Sequence, residues 1–193
     1  NLHQTCAETG RHLKHMRAVT TALGLGMLGI GYQPKWARHD IPWMPKGRYK
    51  IMRDHMPKVD RFGLDMMLRS CTVQVNLDYS DEADMRRKFR TSLALQPVAT
   101  ALFANSPFRD GKPSGLLSTR AEAWTDTDNA RCGVPACVVD AGFGYQQWIH
   151  YILDVPMYFL HRGEDYIDVA GQSFCDYLAS RLAGFEGLPP NMA

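Results

Sequence analysis

Lys35, Arg48, Gln74 and Asn76 fall within residues 31–79, among turn signals at a density that core building alone does not need. Ammonium and guanidinium groups hold carboxylates or phosphates, and side-chain amides offer acceptors to a hard cation and donors to a carboxylate. The stretches Gln33-Pro-Lys-Trp36, Met44-Pro-Lys-Gly-Arg-Tyr49 and Cys71-Thr-Val-Gln-Val-Asn-Leu-Asp-Tyr79 carry them. Together they predict a ligand site. A second group lies in residues 115–128, where Arg120, Trp124, Asp126 and Asp128 follow one another closely. Paired aspartates of this kind are common in turns as well as at metals.

Each of these groups needs an element to aim it. Residues 71–79 alternate Cys71, Val73, Val75, Leu77 and Tyr79 against Thr72, Gln74, Asn76 and Asp78, which is the period of a strand. A strand there turns Gln74, Asn76 and Asp78 to one face, either solvated or the floor of a site, and the Gln-x-Asn choice favours the floor. Arg48 opens a helix predicted over residues 48–59 through Tyr49, Met52 and Met56. Free backbone N–H groups at such a start can join a guanidinium in holding an anion. Asp54 lies too far round that helix to pair with Arg48, because neighbours on one face are three or four residues apart.

The surrounding pattern supplies the rest of the scaffold. Apolar positions at Leu2, Cys6, Leu13, Met16, Val19 and Leu23 predict an amphipathic helix over residues 2–23, stopped by Gly24. Residues 27–32 read as a short buried strand, and Pro34, Pro42 and Pro45 keep the following stretch in loops. Ser80 is the expected cap of a helix with Asp81, Glu82 and Asp84 in its first turn, running through Met85, Phe89 and Leu93. Helices at 144–153 and 172–182 and strands at 157–161 and 166–169 complete the expectation. The class is α+β, an antiparallel sheet covered by helices, as a single domain over residues 1–193.

Composition narrows the function classes. With 45% hydrophobic and 22% charged residues, a chain of 193 can bury a substantial core. Its 22 basic and 20 acidic residues leave a net charge of +2, too little to steer it to nucleic acid or an anionic membrane. The basic run Arg86, Arg87, Lys88 and Arg90 follows acids one turn earlier and lacks interleaved aromatics, so it reads as a solvated helix face. No run approaches the roughly eighteen apolar residues of a membrane span, and the first residues lack a secretion pattern, so a cytoplasmic protein is expected. Five scattered cysteines make a poor disulfide framework, and Cys132 with Cys137 lacks the second pair that a metal would require. The opening without an initiator Met and the loop-like close at Gly-Leu-Pro-Pro-Asn-Met-Ala predict a piece of a longer protein.

In this order, the motifs resemble one family. Gln33-Pro-Lys-Trp36, Met44-Pro-Lys-Gly-Arg-Tyr49, Gly63-Leu-Asp-Met-Met67, residues 71–78, Ala94-Leu-Gln-Pro97 with Ala101-Leu-Phe-Ala-Asn-Ser-Pro107, Trp124-Thr-Asp-Thr-Asp128 and Asp154-Val-Pro-Met-Tyr-Phe159 look like the plant and alphaproteobacterial type of glutamate-cysteine ligase. The resemblance implies part of a glutamine-synthetase-like ligase domain that joins glutamate to cysteine through γ-glutamyl phosphate, with ATP and Mg²⁺, in the first step of glutathione synthesis. It implies catalytic roles for Arg120 and Arg48, a metal-binding role for Gln74, and substrate contacts for Tyr49, Asn76, Trp124, Lys35 and Tyr151, the last near cysteine. Partners are then small molecules, with no nucleic acid and no membrane, and the full-length protein is compatible with a homodimer. The family's first metal-binding strands and its Gly-rich segment are expected outside residues 1–193, so this piece alone is expected to be inactive. Cys6 matches a cysteine that plant members use in a redox disulfide, whose partner is likewise expected outside. A non-catalytic relative would be expected to have damaged ligand positions, whereas Arg48, Gln74, Asn76 and Arg120 all stand; a ligase acting on a different amine is the other alternative.

Overall fold

Helix α1 (Leu2–Ala22) opens the computed structural model, which describes residues 2–185. It matches the predicted amphipathic helix and ends in a turn where Gly24 adopts a positive φ of 68°. Its apolar residues Leu13 and Val19 face solvent. This helix belongs to a compact unit that ends at Ile30, and a second, larger unit begins at Gly31.

In the second unit, α2 (Gly47–Val59) and α3 (Gly63–Arg69) meet at a corner built around Asp60. The Asp60 carboxylate accepts the Gly63 N–H at 2.5 Å and, with its other oxygen, the Asp128 N–H at 2.9 Å. A Cβ on Gly63 would stand only 2.6 Å from that carboxylate and from Met56 Sδ, so the corner requires glycine. Asp126 locks the same corner by pairing with Arg61, while its carbonyl accepts the Phe62 N–H at 3.1 Å. The aspartates of the Trp-Thr-Asp-Thr-Asp motif therefore clamp a turn to a helix corner.

Helix α4 (Glu82–Leu102) is capped by Asp81, whose carboxylate accepts the Asp84 N–H at 2.8 Å. The sequence pointed to Ser80 instead. A carboxylate at the positive end of the helix dipole is the stronger acceptor, and Ser80 donates its own N–H to Asp84 at 3.1 Å. A two-residue turn, Asp110-Gly111, then joins β1 (Phe108–Arg109) to β2 (Lys112–Pro113), with Phe108 opposite Pro113. Both turn residues have positive φ, 53° and 77°, the geometry that suits a tight hairpin and that Asp-Gly readily adopts. Helix α5 (Thr119–Thr125) starts at Ser118, which accepts the Ala121 N–H at 3.2 Å.

The C-terminal third contains α6 (Tyr145–Asp154), the antiparallel pair β3 (Phe159–Arg162) and β4 (Asp165–Asp168), and α7 (Phe174–Leu178). Two hydrophobic clusters hold this unit. Met85, Val138 and Phe143 join Phe89 and Trp148 between α4 and α6, and Met157, Leu160, Val169, Tyr177 and Leu182 unite the β3–β4 hairpin with α7. The result is mixed helix and small antiparallel sheets, as the α+β expectation required. No helix among the described residues is long and apolar enough to cross a membrane.

Three predicted elements differ. Residues 71–79 form no strand: Cys71 donates its N–H to the Gly31 carbonyl at 2.9 Å beside the Tyr32–Ser70 bridge, and no ladder continues beyond it among the described residues. Val73, Val75 and Leu77 are 72%, 73% and 58% exposed, so the alternation has no covered face. Of the predicted strand 27–32, only Tyr32 makes a bridge and Met27 and Leu28 face solvent, because Gly26 and Gly29 leave little side chain to pack. The helix expected over 172–182 shrinks to Phe174–Leu178, ended by Ser180 in the left-handed region at φ 55°.

Candidate functional site

Arg120 sits in the first turn of α5 and reaches the start of the 71–79 segment. Its Nε donates to the Cys71 carbonyl at 2.7 Å and its Nη2 to Thr72 Oγ1 at 3.0 Å, and Nη1 has no hydrogen bond among the described residues. The guanidinium lies 5.5 Å from the centre of the Trp124 ring one turn along the same helix. The Trp124 indole N–H is buried with no acceptor among the described residues. Such a donor is costly to leave unsatisfied. Farther along the 71–79 segment, Gln74 Nε2 donates to Asn76 Oδ1 at 3.2 Å, which links the two amides. Arg120 thus holds the start of the segment that carries Gln74 and Asn76, while Asn76 itself lines a groove against Met85, Lys88 and Phe89 of α4.

The other expected residues stand apart from that piece. Arg48 lies near the N-terminus of α2, where Lys46 gives no side-chain cap, and its guanidinium packs 5.3 Å from the Tyr49 ring. The backbone N–H of Lys35 donates to Gln33 Oε1 at 2.7 Å. Tyr151, on α6, stacks on Trp148 at 5.3 Å between ring centres. No hydrogen bond, ion pair or ring contact among the described residues joins Lys35, Arg48 or Tyr151 to the Arg120 group.

A second concentration of charge was not visible as a motif. Arg69, at the end of α3, is 5% exposed; it donates to Asp65 Oδ1 at 3.1 Å and to Asp110 Oδ1 at 2.7 Å, and lies 4.7 Å from the Tyr32 ring centre. Tyr32 Oη donates to the same Asp65 oxygen at 3.1 Å. Burial, reinforced by the Asp65 charge, pushes the Tyr32 hydroxyl up to about 12. These groups line a cavity of about 550 Å³, and none of the site residues predicted from the sequence lines it, although Leu64 and Asp65 of the Gly63–Met67 motif do. The acid-then-base spacing of Asp65 and Arg69, four apart on a helix, was the available signal. Their third partner, Asp110, is distant in sequence and arrives only through the Asp-Gly turn.

Helix α5 thus carries Arg120 and Trp124, and Arg120 tethers the start of the segment that carries Gln74 and Asn76. The profile of glutamate-cysteine ligase family 2 matches residues 1–183, and the chain belongs to that family. It is 59% identical over 191 residues to the chloroplastic glutamate–cysteine ligase B of Oryza sativa subsp. japonica, and 60% identical over 191 residues to the chloroplastic glutamate–cysteine ligase of Nicotiana tabacum. It is also 60% identical over 190 residues to the corresponding enzyme of Arabidopsis thaliana. These alignments cover 98–99% of this chain but only 36–38% of the relatives' length.

Proposed function

We propose that residues 1–193 form part of an ATP-dependent ligase with a glutamine-synthetase-like fold that joins glutamate to cysteine. In that reaction a γ-carboxylate oxygen of glutamate attacks the terminal phosphorus of ATP and ADP leaves. The cysteine amine then attacks the acyl carbon, phosphate departs with the C–O bond electrons, and the new amide sheds a proton. Both steps gather negative charge on oxygen, so catalysis rests on positioned donors and cations.

The observation that carries this reading is Arg120 on α5, whose Nε and Nη2 hold the start of the 71–79 segment while its guanidinium lies 5.5 Å from the Trp124 ring centre. Its remaining nitrogen, Nη1, suits a carboxylate or acyl-phosphate oxygen. The other two nitrogens of Arg120 hold Cys71 and Thr72, which sets where Gln74 and Asn76 can reach. Gln74 fits a divalent cation as a single neutral carbonyl ligand, with the remaining oxygens coming from elsewhere. When bound, Mg²⁺ supplies charge neutralisation for the phosphates. Arg48, Tyr49 and Lys35 supply further cationic and phenolic contacts to anionic substrate groups, and Tyr151 an aromatic surface for cysteine.

The test splices residues 1–193 into a full-length relative and follows ATP-dependent phosphate release with glutamate, with and without cysteine. Cysteine-dependent turnover is expected, with Arg120→Ala lowering kcat by about 10²–10³, the scale of a lost transition-state donor. Turnover indifferent to cysteine, or unchanged in Arg120→Ala, contradicts the reading.

A further inference from the structure

We propose that Lys88 is a positioning residue for the amides of Gln74 and Asn76: from α4 it fixes the far end of the 71–79 segment, as Arg120 on α5 fixes the near end. The clamp stands on geometry alone, and its consequence for catalysis rests on the ligase reading.

Lys88 belongs to the basic run of α4, which the sequence presents as a solvated helix face. Its ammonium is instead engaged twice. Nζ donates to the Asp78 carbonyl at 2.6 Å and meets Asp84 Oδ2 at 2.7 Å. The same Asp84 oxygen accepts the Ser80 N–H at 3.1 Å. Backbone on both sides of Tyr79 is therefore tied to one pair of side chains a turn apart on α4. The pair is itself well held, since Asp84 is 7% exposed and its own N–H is taken by the Asp81 carboxylate. An ion pair that served only the helix would need no contact with a carbonyl ten residues back. Tyr79 adds a brace: its ring centre lies 6.1 Å from that of Tyr145, whose N–H donates to Glu82 Oε1 at 2.6 Å.

Between the two tethers, residues 73–77 have no strand partner among the described residues, and Val73, Val75 and Leu77 are exposed. Val75, Asn76 and Leu77 lie along the same groove as Lys88. With no ladder to hold it, such a stretch stands where its ends put it. Groups that meet a metal or a substrate have to be held to within about 0.5 Å, so the contacts that orient them matter to the reaction without touching it. Lys88 acts in this way, through the backbone at Asp78.

Two measurements on the full-length protein containing this chain test the proposal, with Lys88→Met, which keeps the apolar stem and removes both ammonium contacts, and Arg87→Gln, which breaks the pair with the other Asp84 oxygen, Oδ1. The first is kinetic: the Mg²⁺ concentration giving half-maximal ligation rate should rise about tenfold or more in Lys88→Met and stay at the parent value in Arg87→Gln. The second needs no turnover. In protein labelled at valine and leucine methyl groups, NMR relaxation should show Val75 and Leu77 losing order in Lys88→Met and keeping it in Arg87→Gln. Lys88 is exposed over 42% of its side chain, so an unfolding temperature close to the parent's is expected alongside both changes. Unchanged methyl order in Lys88→Met overturns the clamp, and an equal effect of Arg87→Gln assigns the loss to charge on α4 and overturns it too. Looser methyl groups with an unchanged Mg²⁺ requirement overturn the positioning role. A parent without ligation activity counts against the ligase reading, and the methyl groups still decide the clamp.

Discussion

The Asp65–Arg69–Asp110 cluster and the 71–79 segment are adjacent in sequence and opposite in physical state. In the first, every charge is paired, Asp65 and Arg69 are buried while Asp110 is half exposed, and the partners come from α3, the β1–β2 turn and the loop around Tyr32. In the second, alternating valines and amides lie open on both sides, tethered at one end by Arg120 and, at Asp78, by Lys88 Nζ, which donates to its carbonyl at 2.6 Å. A strand-like pattern is a statement about faces, and faces exist only when neighbouring backbone and a covering layer create them. A buried ion cluster makes its own environment and needs no periodicity to exist.

Substitutions that break this contrast should differ widely in cost. Arg69→Met strands Asp65 in a buried place, and equilibrium urea unfolding should show a loss of about 3–5 kcal/mol. An intermediate loss, about 1–3 kcal/mol, is expected by the same measurement for Tyr158→Phe, which removes the hydroxyl that donates to buried Asp128 Oδ2. Val73→Thr or Val75→Thr should stay within about 0.5 kcal/mol of the parent in this chain, since both sites are solvated. If the same substitutions in the full-length protein cost clearly more than in the isolated chain, the segment has gained a covered face there; equal costs would mean that it stays open.

Titration separates the regions further. Tyr32 is raised from 10.0 to about 12, so its contribution to stability is complete below pH 10 and is lost as pH climbs through about 12. Its phenolate absorbance should therefore lag behind that of the exposed tyrosines, and Asp65→Asn should bring it earlier. Asp84 runs the other way. The Lys88 ammonium at 2.7 Å and the Ser80 N–H hold it down from 3.8 to about 2, so its contribution is present above pH 3.8 and disappears as pH falls through about 2. Helicity of α4 followed by circular dichroism should fade over that acid window, and Asp84→Asn should flatten the dependence. This is the smallest effect expected, because its cation partners are solvent-exposed.

The long helices were legible because α1, α2 and α4 repeat their apolar positions over many turns, and the β3–β4 hairpin because two β-rich runs flank a Gly. Shorter elements escaped notice. Helix α3 has only seven residues, and β1 and β2 have two each, too few for a period to register. For the site, the sequence grouped Gln74 and Asn76 with Lys35 and Arg48, and Arg120 with Trp124 separately, but gave no sign that Arg120 commits two nitrogens to hydroxyl and backbone groups 48 and 49 residues away. The Arg69 cluster was illegible for the same reason: its contacts to Tyr32 and Asp110 span 37 and 41 residues, and no local pattern reports such distances.

The Asp110-Gly111 turn makes one prediction about length rather than side chain. Surface hairpins usually tolerate added residues, since lengthening a loop costs little entropy. Here the turn is also the bracket that delivers Asp110 to a buried arginine while its Gly111 N–H is held by the Pro34 carbonyl at 2.9 Å. One extra residue would alter the tight-turn geometry and withdraw the carboxylate even though nothing in the core had been touched. This exposed hairpin should therefore resist insertion, with its length under the same constraint as a core side chain's volume.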